Sequence, residues 1–335
     1  MQGEQVFEHK PVLAREVSIG LTQGIRSDAP KTILFVDCTL GAAGHSALLV
    51  EQMLGMQNVE GVKLIGFDQD PAARQASQMR LDSLAQKFNK FSYEIISRNF
   101  SEISDVFQHL APASIDILLA DIGVSSHQLD SGNRGFSIHS RDPVDMRMNP
   151  SLPKSAKHLL LEASQEELES IFKNFGEEPR ARHLAKCILS DRQNSNESRR
   201  IPVHSCQELS AYFNRVLGYK DSRASPSIRI FQALRIAVND ELGALQALLR
   251  ALPSLMSPTG ATGLISFHSL EDRIVKNAYR SWEDSEPSLG CEFPRGGTVA
   301  AHDEISDNPR ARSARLRVFY WGRTRKDARK LFKGE

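Results

Sequence analysis

Short apolar runs alternate with stretches of helical length through the first 120 residues, and this alternation limits the fold more than any other feature. Four runs have the length and character of strands: residues 32–37, 63–68, 91–97 and 115–120. Helical stretches begin near Ser46 and at Pro71, a residue type that favours the first turn of a helix. Strands that alternate with helices predict an α/β fold with a parallel sheet and right-handed crossovers.

The alternation stops after the fourth run and returns only near residue 230. From about residue 152 to residue 218 the pattern is helical, with segments at residues 155–175, 178–193 and 204–218. The later α/β elements are a helix at residues 230–252, a strand at 262–267, a helix at 270–282 and a β-rich run at 315–321. We therefore predict an α/β domain in two parts, residues 1–140 and 225–335, interrupted by an all-helical insertion domain at residues 141–224.

Composition narrows the class of protein without identifying a partner. The chain has 335 residues, of which 40% are hydrophobic, enough to bury a core. A formal net charge of +1 gives no preference for an acidic or basic partner. The cysteines Cys38, Cys187, Cys206 and Cys291 form no C-x-x-C pair, which favours reduced thiols over a disulfide framework or a zinc site. No stretch approaches the length of a membrane span, so we expect a soluble, cytoplasmic protein. Because the cysteines form no C-x-x-C pair, we also expect no metal site.

A turn of small residues follows the first predicted strand. Gly41, Ala43 and Gly44 lie at the start of a helix, where a ligand can approach the backbone closely. Asp68 ends the second strand, where an acid can accept hydrogen bonds from ribose hydroxyls. The turn lacks the G-x-G-x-x-G spacing of a dinucleotide site, and Asp37 before it would repel a pyrophosphate. These features favour S-adenosylmethionine, with its cationic sulfonium, while a packing turn without a ligand is the structural alternative.

Ten ordered motifs resemble those of the bacterial 16S rRNA cytosine-N(4) methyltransferase family, known as RsmH or MraW. The resemblance covers nearly the whole chain. The motifs are HKPVL from His9, DCTLGAAGHS from Asp37, GFDQDP from Gly66, ADIGVSSHQLD from Ala120, RGFS from Arg134, DPVDMRM from Asp142, GEEPRARHLA from Gly176, RIFQALRIAVNDEL from Arg229, ISFHSLEDRIVK from Ile265 and NPRARSARLRV from Asn308. The resemblance implies a Rossmann-like methyltransferase sheet, interrupted by a helical insertion for substrate recognition.

The resemblance also implies which residues bind the cofactor. The Ala43-Gly44-His45 turn would contact the methionine part, Asp68 the ribose and Phe100 the face of the adenine. Asp121 and Gln128 would add hydrogen bonds from the polar stretch that follows the fourth strand. Two positions depart from the family pattern: Ala43 replaces a usual glycine, so a left-handed backbone there would be costly, and Ser225 replaces a frequent histidine.

The implied reaction is methylation of the exocyclic amine of a cytidine in the 16S rRNA of the small ribosomal subunit. This amine is a poor nucleophile because its lone pair is delocalised into the ring. We expect Asp121 to accept an amine hydrogen, with Ser125 or Ser126 as orienting partners. The same carboxylate would also stabilise the sulfonium electrostatically, and the sequence does not separate the two roles.

The expected RNA contacts lie on arginine and aromatic side chains that can hold phosphates or stack on bases. They are Arg134, Phe136, Arg147, Arg273, Arg310 and Arg312. A basic run over residues 310–333 could follow phosphates in the same way. For each of these side chains, a solvated surface charge or a salt bridge is the alternative.

Histidines near the predicted site have structural alternatives as well. His45 and His127 are more typical of structural hydrogen bonding than of catalysis. His268 follows a strand and would line the site, although Ser269 could simply cap the next helix with Asp272. Two other functions also remain open at this point: a nucleotide-dependent oxidoreductase and a non-catalytic RNA-binding assembly factor. The oligomeric state, monomer or homodimer, is not determined by the sequence.

Overall fold

The protein divides into two compact units in a computed structural model. The first unit comprises residues 1–123 and 243–335, and the second comprises residues 124–242. The described residues are 11–23, 25, 31–109, 113–125, 128, 134–192, 194, 200–218 and 226–333. Within these ranges, no helix has both the length and the apolar character needed to cross a membrane.

The first unit is built on one eight-stranded sheet. Its strands are β1 Lys31–Asp37, β2 Val59–Phe67, β3 Phe91–Ile96, β4 Ile115–Asp121, β5 Met256–Ser266, β6 Gly290–Glu292, β7 Thr298–Val299 and β8 Arg315–Trp321. The order is β3-β2-β1-β4-β5-β8-β6, with β7 also paired to β8. Strands β1 to β5 run parallel, whereas β8 runs antiparallel to its neighbours. The prediction of an α/β fold around a mainly parallel sheet is therefore confirmed.

Helices cover both faces of this sheet. In chain order the described helices of the two units are α1 Ala14–Thr22, α2 Gly44–Leu54, α3 Pro71–Lys87, α4 Ile103–Phe107, α5 Ala156–Glu162, α6 Gln165–Asn174, α7 Ala181–Arg192, α8 Cys206–Val216, α9 Ser227–Asn239, α10 Glu241–Leu255, α11 Ser269–Glu283, α12 His302–Asp307 and α13 Arg325–Lys333. Helices α5 to α9 belong to the second unit. One core packs α1, α2 and α3 against side chains such as Phe35 and Leu119. A second core packs α10 and α11 against Val36 and Leu118. Alternate residues of β1 and β4 thus point into different cores, as in a sheet buried on both faces.

The second unit contains helices α5 to α9 and no strand among its described residues. Its core includes Leu168, Phe172, Leu184, Phe213 and Leu234, all of which are fully buried. The predicted helical insertion at residues 141–224 lies inside this unit. Its role in substrate recognition stays a prediction.

The largest differences between the predicted and the observed elements concern three of them. The helix predicted at residues 155–175 is two helices, because Ser164 and Glu167 form a capping box that starts α6. The helix predicted at residues 230–252 is also two, α9 and α10, separated by Asp240 with a left-handed φ of 48°. Strand β5 begins at Met256 and not at residue 262, because the Ser-Pro-Thr-Gly segment, which reads as a turn, continues the strand.

Candidate active site at the carboxyl edge of the sheet

The order of the parallel strands reverses between β1 and β4. From β1 the chain proceeds outward to β2 and β3, and then returns to the other side of β1 with β4. In open α/β sheets the crevice at such a reversal, outside the carboxyl ends of the strands, is where ligands bind. Asp37 ends β1 and pairs with Leu119, so Asp121 at the end of β4 lies beside it at the same edge.

Asp37 organises the turn that follows β1. It is only 2% exposed. One carboxylate oxygen accepts the Thr39 N–H at 3.0 Å, and the other accepts the Ser46 hydroxyl at 2.6 Å. The carboxylate is therefore tied to both ends of the turn. It can act on a cofactor through its charge, while its hydrogen bonds hold the turn in place.

The turn itself needs left-handed backbone at two positions. Gly41 has a φ of 53° and Ala43, the N-cap of α2, has a φ of 57°. Ala43 therefore adopts the left-handed conformation that the sequence analysis describes as costly for alanine. The fully buried Ala43 is followed by Gly44, the first residue of α2. The turn therefore places backbone groups at the start of α2, where they can bind polar groups of a ligand.

Asp68 lies directly after β2 and contacts the same turn. One of its carboxylate oxygens accepts the Gly41 N–H at 2.8 Å, and the other accepts the Asp70 N–H at 2.8 Å. The turn can pack this close because Gly66 has no side chain: a Cβ there would lie 2.7 Å from a methyl group of Leu40. Asp68 is half-buried, so its remaining lone pairs can receive hydroxyl groups of a ribose.

Asp121 has one carboxylate oxygen without a partner. Its backbone N–H donates to the Thr39 hydroxyl at 2.6 Å. Its Oδ2 lies 3.7 Å from Nδ1 of His45, whose Nε2 donates to the Val12 carbonyl at 2.8 Å. Its Oδ1 is buried and has no hydrogen-bond partner among the described residues. A buried, unsatisfied acceptor costs free energy, and this one is available to a ligand.

The acids at this edge all have raised pKa values. Burial raises the pKa of Asp37 to about 6, against the opposing hydrogen bonds from Ser46 and Thr39. Burial likewise raises the pKa of Asp68 to about 7. The pKa of Asp121 rises to about 8, through burial first and then through the charges of Asp37 and Glu271. Carboxyl groups that resist ionisation because they are buried together would ionise readily beside a cation.

The residue chemistry therefore fits S-adenosylmethionine. Its sulfonium and ammonium groups would compensate the acids, and its ribose hydroxyls would bond to Asp68. Phe100, predicted to contact the adenine, starts a short 3₁₀ turn after β3 and is partly buried against the core. The contact of Phe100 with the adenine stays a prediction.

The predicted residues of the polar stretch after β4 lie in the second unit or outside the described residues. Ser125 donates its N–H to the Gln128 side-chain oxygen at 3.0 Å, and the Gln128 N–H donates to the Ser125 hydroxyl at 3.2 Å. These two residues stabilise each other locally. The orienting role of Ser125 and the cofactor contact of Gln128 stay predictions. Ser126, His127 and Ser225 lie outside the described residues.

The predicted RNA contacts fall into two groups. Arg134 donates to the carbonyls of Arg147 and Met148 and lies 5.9 Å from the ring centroid of Phe136. Arg147 forms a bidentate pair with Asp145, at 2.9 and 2.7 Å. Both guanidinium groups thus organise their own segment of the second unit. In contrast, three predicted arginines of the first unit are exposed: Arg273, Arg310 and Arg312.

The segment after β5 contains a helix cap that the sequence did not predict. The alternative in which Ser269 caps the next helix with Asp272 is wrong. His268 is the N-cap of α11 and forms a capping box with Glu271. The H-S-L-E sequence has the spacing of a capping box, but histidine is not among the usual N-cap residues. Asp272 instead pairs with Arg317 at 2.7 Å.

Comparison with known proteins gives matches along most of the chain. The model of the MraW methylase family matches residues 6–321. The ribosomal RNA small subunit methyltransferase H of Geobacter sulfurreducens is 39% identical, over 93% of this chain and 98% of its own. The proteins of that name from Prochlorococcus marinus and Acidobacterium capsulatum are 38% and 40% identical. They cover 93% and 85% of this chain, and 94% and 90% of their own.

Proposed function

Because the chain belongs to the MraW methylase family, we propose that it transfers the methyl group of S-adenosylmethionine to the N4 amine of a cytidine in 16S rRNA. The family membership decides between a methyltransferase and a nucleotide-dependent oxidoreductase in favour of the first. The observation that carries the proposed chemistry is the unpartnered Oδ1 of Asp121, at the point where the strand order reverses.

The turn after β1 and the end of β2 would hold the cofactor. S-adenosylmethionine supplies an electrophilic methyl group on a cationic sulfur. Backbone groups of the turn from Ala43 to His45 would bind its methionine part, and Asp68 would accept the ribose hydroxyls. Asp37 would contribute negative charge rather than a direct hydrogen bond, since it is buried and both of its oxygens already accept hydrogen bonds from Thr39 and Ser46.

Asp121 would act on the target amine. As the nitrogen forms its new bond to carbon it must lose a proton, and an acceptor within hydrogen-bond distance lowers the barrier to that step. Asp121 Oδ1 is the buried acceptor at this edge. Its Oδ2 faces Nδ1 of His45, whose Nε2 hydrogen is directed to the Val12 carbonyl. The Nδ1 of the neutral ring is then an acceptor, so His45 would orient the Asp121 carboxyl group while Oδ2 carries its proton. The sequence predicts Ser125 and Ser126 as further orienting residues.

The exposed arginines would bind the RNA. Arg273, Arg310 and Arg312 are exposed, so each can approach a phosphate of the RNA. A cytidine in a folded subunit must leave its stack to reach a buried carboxyl group, as for other enzymes that act on bases. The substrate we propose is the small ribosomal subunit, and the reaction accordingly takes place in the cytoplasm.

The test is a methylation assay on small subunits from cells that lack this modification. The protein is incubated with these subunits and with S-adenosylmethionine carrying a labelled methyl group. The rRNA is then digested and the labelled nucleoside identified by mass. We expect N4-methylcytidine as the product.

Label on the ring carbon C5, or no label despite binding of S-adenosylmethionine, would contradict the proposed reaction. The second result would instead support a non-catalytic assembly factor. Assaying the naked rRNA in parallel shows whether the assembled subunit is needed for recognition.

A further inference from the structure

Three buried polar atoms without hydrogen-bond partners belong to residues at the end of β4 and just after β5. Among the described residues, five buried side-chain atoms have no hydrogen-bond partner, and three of them are Asp121 Oδ1, His268 Nε2 and Glu271 Oε1. Their clustering matters because native proteins leave few buried polar groups unsatisfied. A ligand that brings both a donor and an acceptor would satisfy such a group.

The two strand ends are held together at this point. Asp121 pairs with Ile265 in the parallel ladder, and the Ile122 N–H donates to the Ile265 carbonyl at 2.9 Å. Just beyond, a Cβ on Gly123 would lie 3.5 Å from the ring of Phe267, the residue before His268. The chain leaving β4 therefore runs against the turn that leaves β5.

Glu271 fixes the position of this turn. Its side chain is fully buried, and its Oε2 accepts the N–H groups of Phe267 at 2.8 Å and His268 at 3.3 Å. Its charge is also close enough to Asp121 to raise the pKa of that carboxyl. Glu271 thus holds the backbone of the turn by hydrogen bonds, and its charge acts on Asp121, the proposed acceptor.

The capping geometry sets the hydrogen-bonding character of the His268 ring. Nδ1 accepts the Glu271 N–H at 3.4 Å, so in the neutral ring the hydrogen resides on Nε2. The His268 side chain is 9% exposed, and Nε2 lies 3.0 Å from Glu271 Oε1 without forming a hydrogen bond to it. A donor on His268 therefore lies on the turn that leaves β5, the strand that pairs with β4 at Asp121.

We propose that His268 binds the target base, its Nε2–H donating to the ring nitrogen N3 of cytosine while Asp121 Oδ1 accepts from the N4 amine. Cytosine presents an acceptor and a donor side by side on this edge, whereas uracil presents a donor and an acceptor in the opposite order. A neighbouring donor and acceptor on the protein would thus select cytosine and aim its amine. Glu271 would act as the positioning residue that holds His268.

This inference rests on the proposed function and concerns how its substrate is recognised. It separates His268 from an ordinary helix cap, which needs only the Nδ1 acceptor. Asparagine is among the best N-cap residues, and its short side chain can replace the Nδ1 acceptor while removing the Nε2 donor. Glutamine can place an amide donor near the position of Nε2.

The experiment compares His268→Asn, His268→Gln and the exposed neighbour Ser269→Ala with the wild type on the same unmodified small subunits. Single-turnover methylation rates are measured with excess enzyme. S-adenosylmethionine affinity and the thermal midpoint are measured on the same samples. We expect His268→Asn to be slower by about 10- to 100-fold, the effect of leaving a buried base acceptor unpaired. Its cofactor affinity and thermal midpoint should match the wild type.

His268→Gln should stay within about five-fold of the wild-type rate, since it restores a donor. A His268→Asn rate within two-fold of the wild type would overturn the proposal, because the cap alone would then suffice. A rate that falls in parallel with cofactor affinity or thermal midpoint would also overturn it, as evidence of a structural role. If the wild type does not methylate the amine, the proposed function fails first, and that result is visible without any variant.

Discussion

Replacing Asp121 with asparagine should make the protein more stable and almost inactive. The substitution keeps the size of the side chain and its hydrogen-bonding oxygen but removes a carboxyl group that ionises with difficulty. The pKa of Asp121 is raised to about 8 by burial and by the charges of Asp37 and Glu271. In the unfolded chain the same group has a pKa near the ordinary aspartate value of about 4.

The pH dependence of this effect follows from the two pKa values. The folded state holds the proton more tightly than the unfolded state, so stability falls as the pH rises from about 4 to about 8. The full difference corresponds to on the order of 5 kcal/mol above pH 8 as an upper limit. Because the side chain is 24% exposed, solvent reduces this cost, and we expect Asp121→Asn to gain about 1–3 kcal/mol at pH 9.

The assay is denaturant unfolding of wild type and Asp121→Asn at pH 5 and at pH 9, with methyl transfer measured at pH 7.5. The difference between the two proteins isolates Asp121, because Asp37 and Asp68 titrate in both. The gain should be larger at pH 9 than at pH 5, and turnover should fall by about 100-fold or more. An equal gain at both pH values, or a variant that keeps most of its turnover, would refute the reasoning.

Three further substitutions test other parts of the structure. Ala43→Gly should raise the free energy of unfolding by about 0.5–1 kcal/mol, because glycine adopts the left-handed φ of 57° without strain; an unchanged or lower thermal midpoint would contradict this. Asp68→Asn should weaken the binding of S-adenosylmethionine by about 10- to 100-fold in calorimetry, through the loss of charge-assisted hydrogen bonds to the ribose, and an affinity within two-fold of the wild type would remove Asp68 from the site. Arg317→Met should destabilise the protein by about 3–5 kcal/mol in denaturant unfolding. The reason is that the 4%-exposed Arg317 pairs with Asp272 at 2.7 Å and with the buried Glu292 at 2.5 Å. A loss below about 1 kcal/mol would show that these carboxylates find other partners.

The sequence predicts the central sheet well because its strands are buried on both faces. Residues 32–37 and 115–120 are nearly continuous apolar runs, and both became strands with bounds within one residue of the prediction. The edge strands β6 and β7 were not predicted. With three and two residues, they are too short to show a periodicity, and they pair with β8 through contacts distant in sequence.

The site divides in the same way between local and distant contacts. Asp37, Asp68 and Asp121 were predicted because each stands at the end of a predicted strand, a position that sequence reasoning can recognise. The unpartnered Oδ1 of Asp121 and the capping pair of His268 with Glu271 were not foreseen. The first depends on how β4 and β5 lie together, and the two strands are separated by more than one hundred residues. The second is local in sequence, but histidine is not among the usual N-cap residues.

The buried acids at the carboxyl edge of the sheet would receive a cationic methyl donor through electrostatic attraction. The most direct test is titration calorimetry of S-adenosylmethionine binding at pH 6.5, in buffers with different ionisation enthalpies. Asp121, with a pKa of about 8, is largely protonated at this pH, and a bound sulfonium would lower that pKa. We predict proton release on binding, less release with S-adenosylhomocysteine, whose sulfur is neutral, and a smaller difference between the two ligands in Asp121→Asn. Binding of S-adenosylmethionine without any proton release would contradict the claim.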